Sequence, residues 1–300
     1  MKVVRPAQRS LIARVSVLRR SFFLGLILGL GLSVATAAEP PPLVVRYPNV
    51  NGMGVNGLGY RMLDLALRSS GHPYRIELME DSANTDRVRA LLESGAVDVI
   101  DFGSTPDFER RFTAVYFPID RGLNGWRLLV IRKQDRAAFS GVKSLADLGH
   151  FVAGQGQGWP DADILRGGKL SVQTFPELAS LFRSLEARRF DYLPLGMDEA
   201  YDLTRRYASS AKALDVESRI TIIYPFGRLF FVRKGNLVLR DLIDAGLRKA
   251  FAHGQVQELL ASDPGYAEAM RHGAPTLKLH LDNPELSAAF KAMPAEYFLH

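Results

Sequence analysis

The chain has 300 residues, 38 Lys+Arg against 32 Asp+Glu, and no cysteine. The lack of cysteine excludes a disulfide framework, a thiolate nucleophile and a lipid anchor on a cysteine. Lys2, Arg5, Arg9, Arg14, Arg19 and Arg20 fall in the first 20 positions with no acid among them, so the positive excess is assigned to a leader and not to a nucleic-acid surface.

An apolar run from Phe22 to Val34 follows and ends in Ala35-Thr36-Ala37-Ala38. A basic segment, a short apolar stretch and a small-residue cleavage site predict a signal peptide over residues 1–37 and a periplasmic destination. The run is about 13 residues long, against the roughly 20 that a bilayer core requires. Arg19-Arg20-Ser21-Phe22-Phe23 leaves Sec and twin-arginine export both open. Taking the six leader cations from 38 leaves 32, equal to the acids, in a mature chain of about 263 residues (300 less 37). That length suffices for two lobes of ordinary size.

Glu39-Pro40-Pro41-Pro42 reads as an extended linker. Leu43–Tyr47 is a predicted strand, Leu58–Ser70 a helix with Met62, Leu63, Leu65 and Ala66 on one face, and Gly71 its stop. Tyr74–Leu78 is a second strand, Thr85–Ser94 a second helix closed by Gly95, and Val97–Phe102 a third strand. The β-α-β-α-β order implies a mostly parallel sheet with helices on its faces. A second block repeats it: a short helix at Ser144–Leu148, a strand at Phe151–Ala153, a helix from Asp161, a strand at Leu170–Phe175, a helix over Pro176–Ala187 and a strand at Phe190–Leu195. Between and after the blocks stand two matched apolar segments, Trp126–Arg132 (WRLLVIR) and Gly227–Arg233 (GRLFFVR). They read as two antiparallel crossovers forming a hinge, with the crevice between the lobes as the default ligand site. The expected division is 38–125 for the first part of lobe 1, 126–132 for one crossover, 133–226 for lobe 2 and 227–233 for the other. Residues 234–300 return to lobe 1 and supply the tail, where Leu277–Leu281 alternates as a strand.

The third strand runs straight into GSTPDFERRF. Thr105 can cap a helical turn whose first position is Pro106, and the free N–H groups of such a turn favour an anion. An arginine fork binds a carboxylate through two parallel hydrogen bonds. Arg110 and Arg111 both offer one, with Arg110 preferred and Arg111 expected on the solvated face or beside Glu109.

GAVDVIDFGSTPDFERRF, the FPI at Phe117–Ile119, GWRLLVIRK, KSLADLGHFVAGQGQGWPD and SLEARRFDYLPLG follow one another over nearly all of the mature chain. In order and spacing they resemble the bacterial extracellular solute-binding proteins of the polar-amino-acid type (family 3), receptors of ABC importers with related sensor domains. The resemblance implies a two-lobe, type II periplasmic-binding-protein-like α/β fold, each lobe a mostly parallel sheet flanked by helices and joined by two crossover strands. It implies a monomer, with an ABC permease or membrane sensor as partner, that captures a small polar, carboxylate-bearing solute such as an amino acid. It carries over Ser104, Thr105 and Arg110 or Arg111 as ligand residues, with the family's Thr-to-Arg step of three residues lengthened to five for Arg110. The loop Gly154–Trp159, read as a flexible turn from strand to helix, supplies Gln155, Gln157 and Trp159, and Tyr47 stands where the family places an aromatic. Where the family places an aspartate for the ligand ammonium, this chain has Gly196, followed by Met197, Asp198 and Glu199. Asp198 or Glu199 takes that role if the turn is longer; otherwise both are first-turn acids favoured by the helix dipole.

Catalytic and cofactor signals are poor. The six histidines form no His-x-x-x-His pair, no Gly-x-Ser-x-Gly elbow occurs, and Gly154–Trp159 lacks the dinucleotide-binding spacing. Asp98 and Asp101 fall on opposite sides of their strand and make no acid/base pair. The expectation is a binding protein without metal or cofactor. The alternative is a periplasmic lyase or dehydratase on the same scaffold, needing a shifted acid among Glu199, Asp198 and Glu80.

Overall fold

A computed structural model describes residues 41–299 except Ala274, so the expected leader lies outside the described residues. Strands β1 (Leu43–Val50) and β2 (Tyr74–Ala83) pair in parallel across helix α1 (Leu58–Ser70). Gly71, in the left-handed region at φ 79°, ends α1 as expected. Helix α2 (Thr85–Ser94) starts at Asn84, whose side chain accepts from Arg87 N. It leads to β3 (Val99–Gly103), α3 (Pro106–Arg111) and β4 (Phe112–Val115). Asp98 N donates to the Arg46 carbonyl at 2.9 Å, which sets β1 beside the start of β3.

The chain then passes through residues 116–125 into a second sheet. Strand β5 (Trp126–Arg132) is followed by short helices α4 (Arg136–Ser140) and α5 (Leu145–Leu148). Next come β6 (Val152–Gly156), α6 (Asp161–Gly167), β7 (Ser171–Phe175), α7 (Leu178–Glu186), β8 (Tyr192–Gly196), α8 (Ala200–Arg206) and β9 (Leu214–Ile223). Residues 224–227 lead back to β10 (Arg228–Arg233), which lies between β3 and β4. Helices α9 (Leu237–Ala252), α10 (Gln255–Ala261) and α11 (Pro264–His272) follow, then β11 (Leu277–His280) and α12 (Ala288–Lys291).

The second sheet has the order β11-β9-β5-β8-β6-β7. The segments expected as crossovers are thus full members of two different sheets. Strand β5 runs antiparallel to β8 and β9, and β10 antiparallel to β3 and β4, while β6/β7, β6/β8 and β9/β11 are parallel. The central strands β5 and β10 are buried on both faces. On β5, Leu129 and Ile131 pack with Ala153 and Leu165, whereas Leu128 and Val130 pack with Leu181 and Phe182 on the other side. On β10, Phe230 and Val232 join Met62, Leu63 and Ile243, and Leu229 and Phe231 join Phe108 and Phe112. Strand β9 escapes the sequence pattern because a register shift interrupts it: Glu217 accepts from Arg219 N and Ile220 N, so a side chain takes over part of the ladder.

Candidate functional site

Strands β5 and β10 each carry an arginine near the start, and both guanidinium groups meet where the chain crosses between the sheets. Strand alternation puts Arg127 on the face of Leu129 and Ile131, and it is only 2% exposed. It pairs with Asp161 at the first position of α6. Its Nε donates to the Tyr224 hydroxyl at 2.8 Å and its Nη2 to Asn124 Oδ1 at 2.8 Å. The guanidinium lies over the Tyr224 and Phe226 rings, 5.6 and 5.5 Å from their centroids. The Tyr224 hydroxyl donates to Asp161 in turn.

Arg228 opens β10 and pairs with Asp101 on β3, which also accepts from the Tyr47 hydroxyl at the centre of β1. Two glycines make room for this half. A Cβ at Gly59 would overlap Asp101 and Tyr47, and one at Gly103 would overlap the Phe226 ring. Asp120, 1% exposed, ties the two sheet-to-sheet links together. Its carboxylate accepts from Gly122 N at 3.2 Å and Asn124 N at 3.1 Å on the first link, and from Arg228 N at 3.1 Å at the end of the second.

Asp198 and Glu199 complete the group from the turn after β8. Asn124 Nδ2 donates to Asp198 at 3.4 Å, Gly196 N donates to Glu199 at 3.1 Å, and Arg127 stands 3.7 Å from Glu199. Burial and the neighbouring Asp198 push the Asp120 carboxyl up to about 6, although Arg228 and backbone donors pull the other way. Burial, then Asp198, pushes Glu199 up to about 7 against the pull of Arg127. Asp198 is also raised by burial, with Arg228 and Arg127 opposing. Burial works against the Arg228 charge, but Asp101, Asp198 and Asp120 outweigh it and hold its proton more firmly than usual. Glu199 keeps 36% of its side chain exposed and Arg228 25%. Asp198, Glu199 and Arg228 are thus the partly exposed members of the cluster, and the remaining members stand buried behind them.

Of the residues singled out from sequence, Tyr47, Asp198 and Glu199 join this cluster. Gln155 lies at the carboxyl end of β6, fully buried, on the face of the sheet that carries Arg127 and Asp161. The strand continues through Gly154-Gln155-Gly156, where a turn was expected, because glycine admits neighbouring rings: a Cβ would overlap Phe190 at Gly154 and Trp159 at Gly156. Trp159 packs on that glycine and on the second-sheet core. Gln157 is exposed in the turn beyond, which approaches α2; a Cβ at Gly158 would stand 3.4 Å from Asp86 Oδ1.

The arginine clamp expected after β3 is corrected. Thr105 caps α3 by accepting from Phe108 N, and buried Ser104 donates to Glu109 at 2.6 Å, so both hydroxyls are used locally. Arg110 is 70% exposed and pairs with Asp107 at 3.1 Å, while Arg111 pairs with Glu93 and Asp107. Both follow one helical turn after the cap, which directs them to the outer, solvated face of α3. Glu80 is exposed on β2, away from the cluster. Arg127, Arg228 and Asp101 were missed as site residues. The available signal was an arginine at an inward position of each matched apolar strand. Among the described residues, no group of three or more His, Asp or Glu suits a metal ion, and no helix is long and apolar enough to cross a membrane.

No family model matches the chain, and no curated protein does. Solved structures do. An ancestral arginine-binding protein bound to arginine is similar at TM-score 0.55 and 17% identity, over 74% of this chain and 98% of that one. A histidine kinase sensor domain with similarity to periplasmic binding proteins matches at TM-score 0.54 and 17% identity, over 76% and 97%. The substrate-binding protein AbpA of an amino-acid ABC transporter from Streptococcus pneumoniae, bound to L-arginine, matches at TM-score 0.52 and 14% identity, over 75% and 95%. Helix-flanked sheets of two, three and six strands, and these likenesses over almost the whole length of each matched domain, establish that the chain has the periplasmic-binding-protein-like α/β fold of amino-acid ABC substrate-binding proteins.

Proposed function

We propose that the protein is an exported, periplasmic solute-binding protein that captures a small polar solute at the junction of its two sheets and presents it to an ABC importer or a membrane sensor. The observation that supports this most is the partly exposed charged cluster where the sheets meet. Arg228, Asp198 and Glu199 remain reachable, and Arg127, Asp161, Asp101, Asp120, Tyr47 and Tyr224 hold the charged lining in place from behind. A core has no need of so many charges; a recognition site does. The basic, apolar and small-residue order of residues 1–38 supports export. The carboxylate-bearing solute anticipated from the turn after β3 has lost its arginine, so the solute is left here as polar.

The test is a thermal-shift screen of the mature protein against amino acids, amines, organic acids and short peptides. A true solute stabilises by mass action, by about 2.7 kcal/mol at a hundredfold excess over its dissociation constant. Silence across the panel overturns the proposal. A lyase or dehydratase on this scaffold is favoured by one observation, a reachable carboxyl at Glu199 titrating near neutrality. Recovery of the bound compound chemically unchanged after incubation removes that reading.

A further inference from the structure

The charges at the junction do not balance. Two guanidinium groups, Arg127 and Arg228, face five carboxyls, Asp101, Asp120, Asp161, Asp198 and Glu199. Each arginine already has its own partner, Asp161 for Arg127 and Asp101 for Arg228, and each of those carboxylates also accepts from a tyrosine hydroxyl. Asp120 is satisfied by three backbone N–H groups. That leaves the partly exposed Asp198 and Glu199 with spare acceptor capacity: a long bond from Asn124 and one from its own backbone N–H for the first, and Gly196 N with a distant Arg127 for the second. An independent observation points the same way. Gln155 Nε2 donates to the Pro194 carbonyl at 3.0 Å, which fixes the amide orientation and leaves Gln155 Oε1 as a buried acceptor without a donor. It belongs to the same face and the same end of the sheet as Arg127 and Asp161.

We propose that the solute is a cation rich in N–H donors, an amine or guanidinium compound, seated on Asp198 and Glu199 and needing no carboxylate of its own. This rests on the solute-binding reading and names its substrate class. A carboxylate entering there would meet Asp120, Asp198 and Glu199, and the one partly exposed cation, Arg228, is already paired with Asp101. A cationic head group supplies the charge and the donors that the lining lacks. The groups facing Asp198 and Glu199 are Arg127, Arg228 and Asp120, with Asn124 and Gly196 N as neutral donors. Because Glu199 titrates near 7, a cation must displace its proton to bind, so affinity rises with pH. The ionised fraction, and with it the association constant, increases about tenfold between pH 6 and pH 8.

The experiment is titration calorimetry of the mature protein with agmatine, putrescine, L-arginine, L-glutamate and succinate at pH 6 and pH 8. Agmatine or putrescine is expected to bind at least tenfold more tightly than glutamate or succinate, with about a tenfold gain from pH 6 to pH 8. Asp198→Asn and Glu199→Gln are each expected to weaken that binding at least tenfold while melting no lower than the parent at pH 8, since each removes a poorly hydrated charge without changing shape. Preference for succinate or glutamate, or tightening on acidification, overturns the inference. If the wider screen finds a neutral or anionic solute while the cations stay silent, the inference fails and the solute-binding reading stands. Silence of the whole screen removes both.

Discussion

Asp120→Asn tests the most heavily buried carboxyl of the junction. Asp120 has an ordinary value of 3.8 and is pushed up to about 6 in the folded chain, first by burial and then by Asp198. The folded state therefore holds the proton more firmly than the unfolded chain. Stability is highest below 3.8, falls as the pH rises through the interval to 6, and is level above it. At about 1.4 kcal/mol per pH unit, the cost of the ionised group is about 3 kcal/mol at pH 8 and about 0.5 kcal/mol at pH 4. Asparagine removes that dependence. Its Oδ1 keeps the donors Gly122 N and Arg228 N, but its amide nitrogen then faces Asn124 N, a loss of about 1–3 kcal/mol at every pH. The variant should accordingly be less stable than the parent at pH 4 and close to it at pH 8, with the difference moving by about 2.5 kcal/mol in its favour. Urea denaturation of both proteins across pH 4–8 reads this directly. Parallel profiles separated by a constant offset would refute the reasoning, because they would show that Asp120 gains and loses no proton in that range.

Arg228→Met leaves Asp101, 5% exposed, with an uncompensated charge and should lower unfolding free energy by about 3–5 kcal/mol in urea; an unchanged midpoint would mean Asp101 does not depend on that guanidinium. Arg110→Met removes only an exposed pair with Asp107 and should shift stability by less than about 0.5 kcal/mol, and any solute found should bind it as tightly as it binds the parent. Loss of binding there would restore the turn after β3 as the clamp. Gly246→Ala should destabilise by about 1–3 kcal/mol despite alanine's better helix propensity, because its Cβ would overlap the Ala66 carbonyl where α9 crosses α1. A rise in melting temperature would show that the two helices can separate freely.

The local grammar of the chain was legible wherever a cap or stop lies beside its element. Leu58–Ser70, Thr85–Ser94 and Trp126–Arg132 have the expected bounds because Gly71, Gly95 and unbroken apolar runs mark them. Strand β9 was not read, since Glu217 stands in for backbone acceptors in mid-strand and breaks the alternation. In the candidate site, Asp198 and Glu199 were read from the turn after a strand, and Tyr47 from the expected end of a strand that in fact continues to Val50. The arginines were not. Arg110 and Arg111 carry the local signs of an anion site, yet one helical turn rotates them outward. The Arg228–Asp101 pair spans 127 positions, a separation that no short motif encodes. The repeat of an arginine just before the apolar run of two matched strands, Arg127 and Arg228, was the one clue to it.

Strand β10 lies between β3 and β4, which neighbour one another in the chain and do not pair. This three-stranded sheet therefore cannot be assembled in the order in which it is synthesised: its middle strand emerges only after strands β5 to β9 of the six-stranded sheet have been made. Until residue 233 arrives, Phe108, Phe112 and Ile100 lack Leu229 and Phe231 from their core cluster. Such non-local closure is slow, and it keeps the growing chain open until β10 can be inserted between its two neighbours.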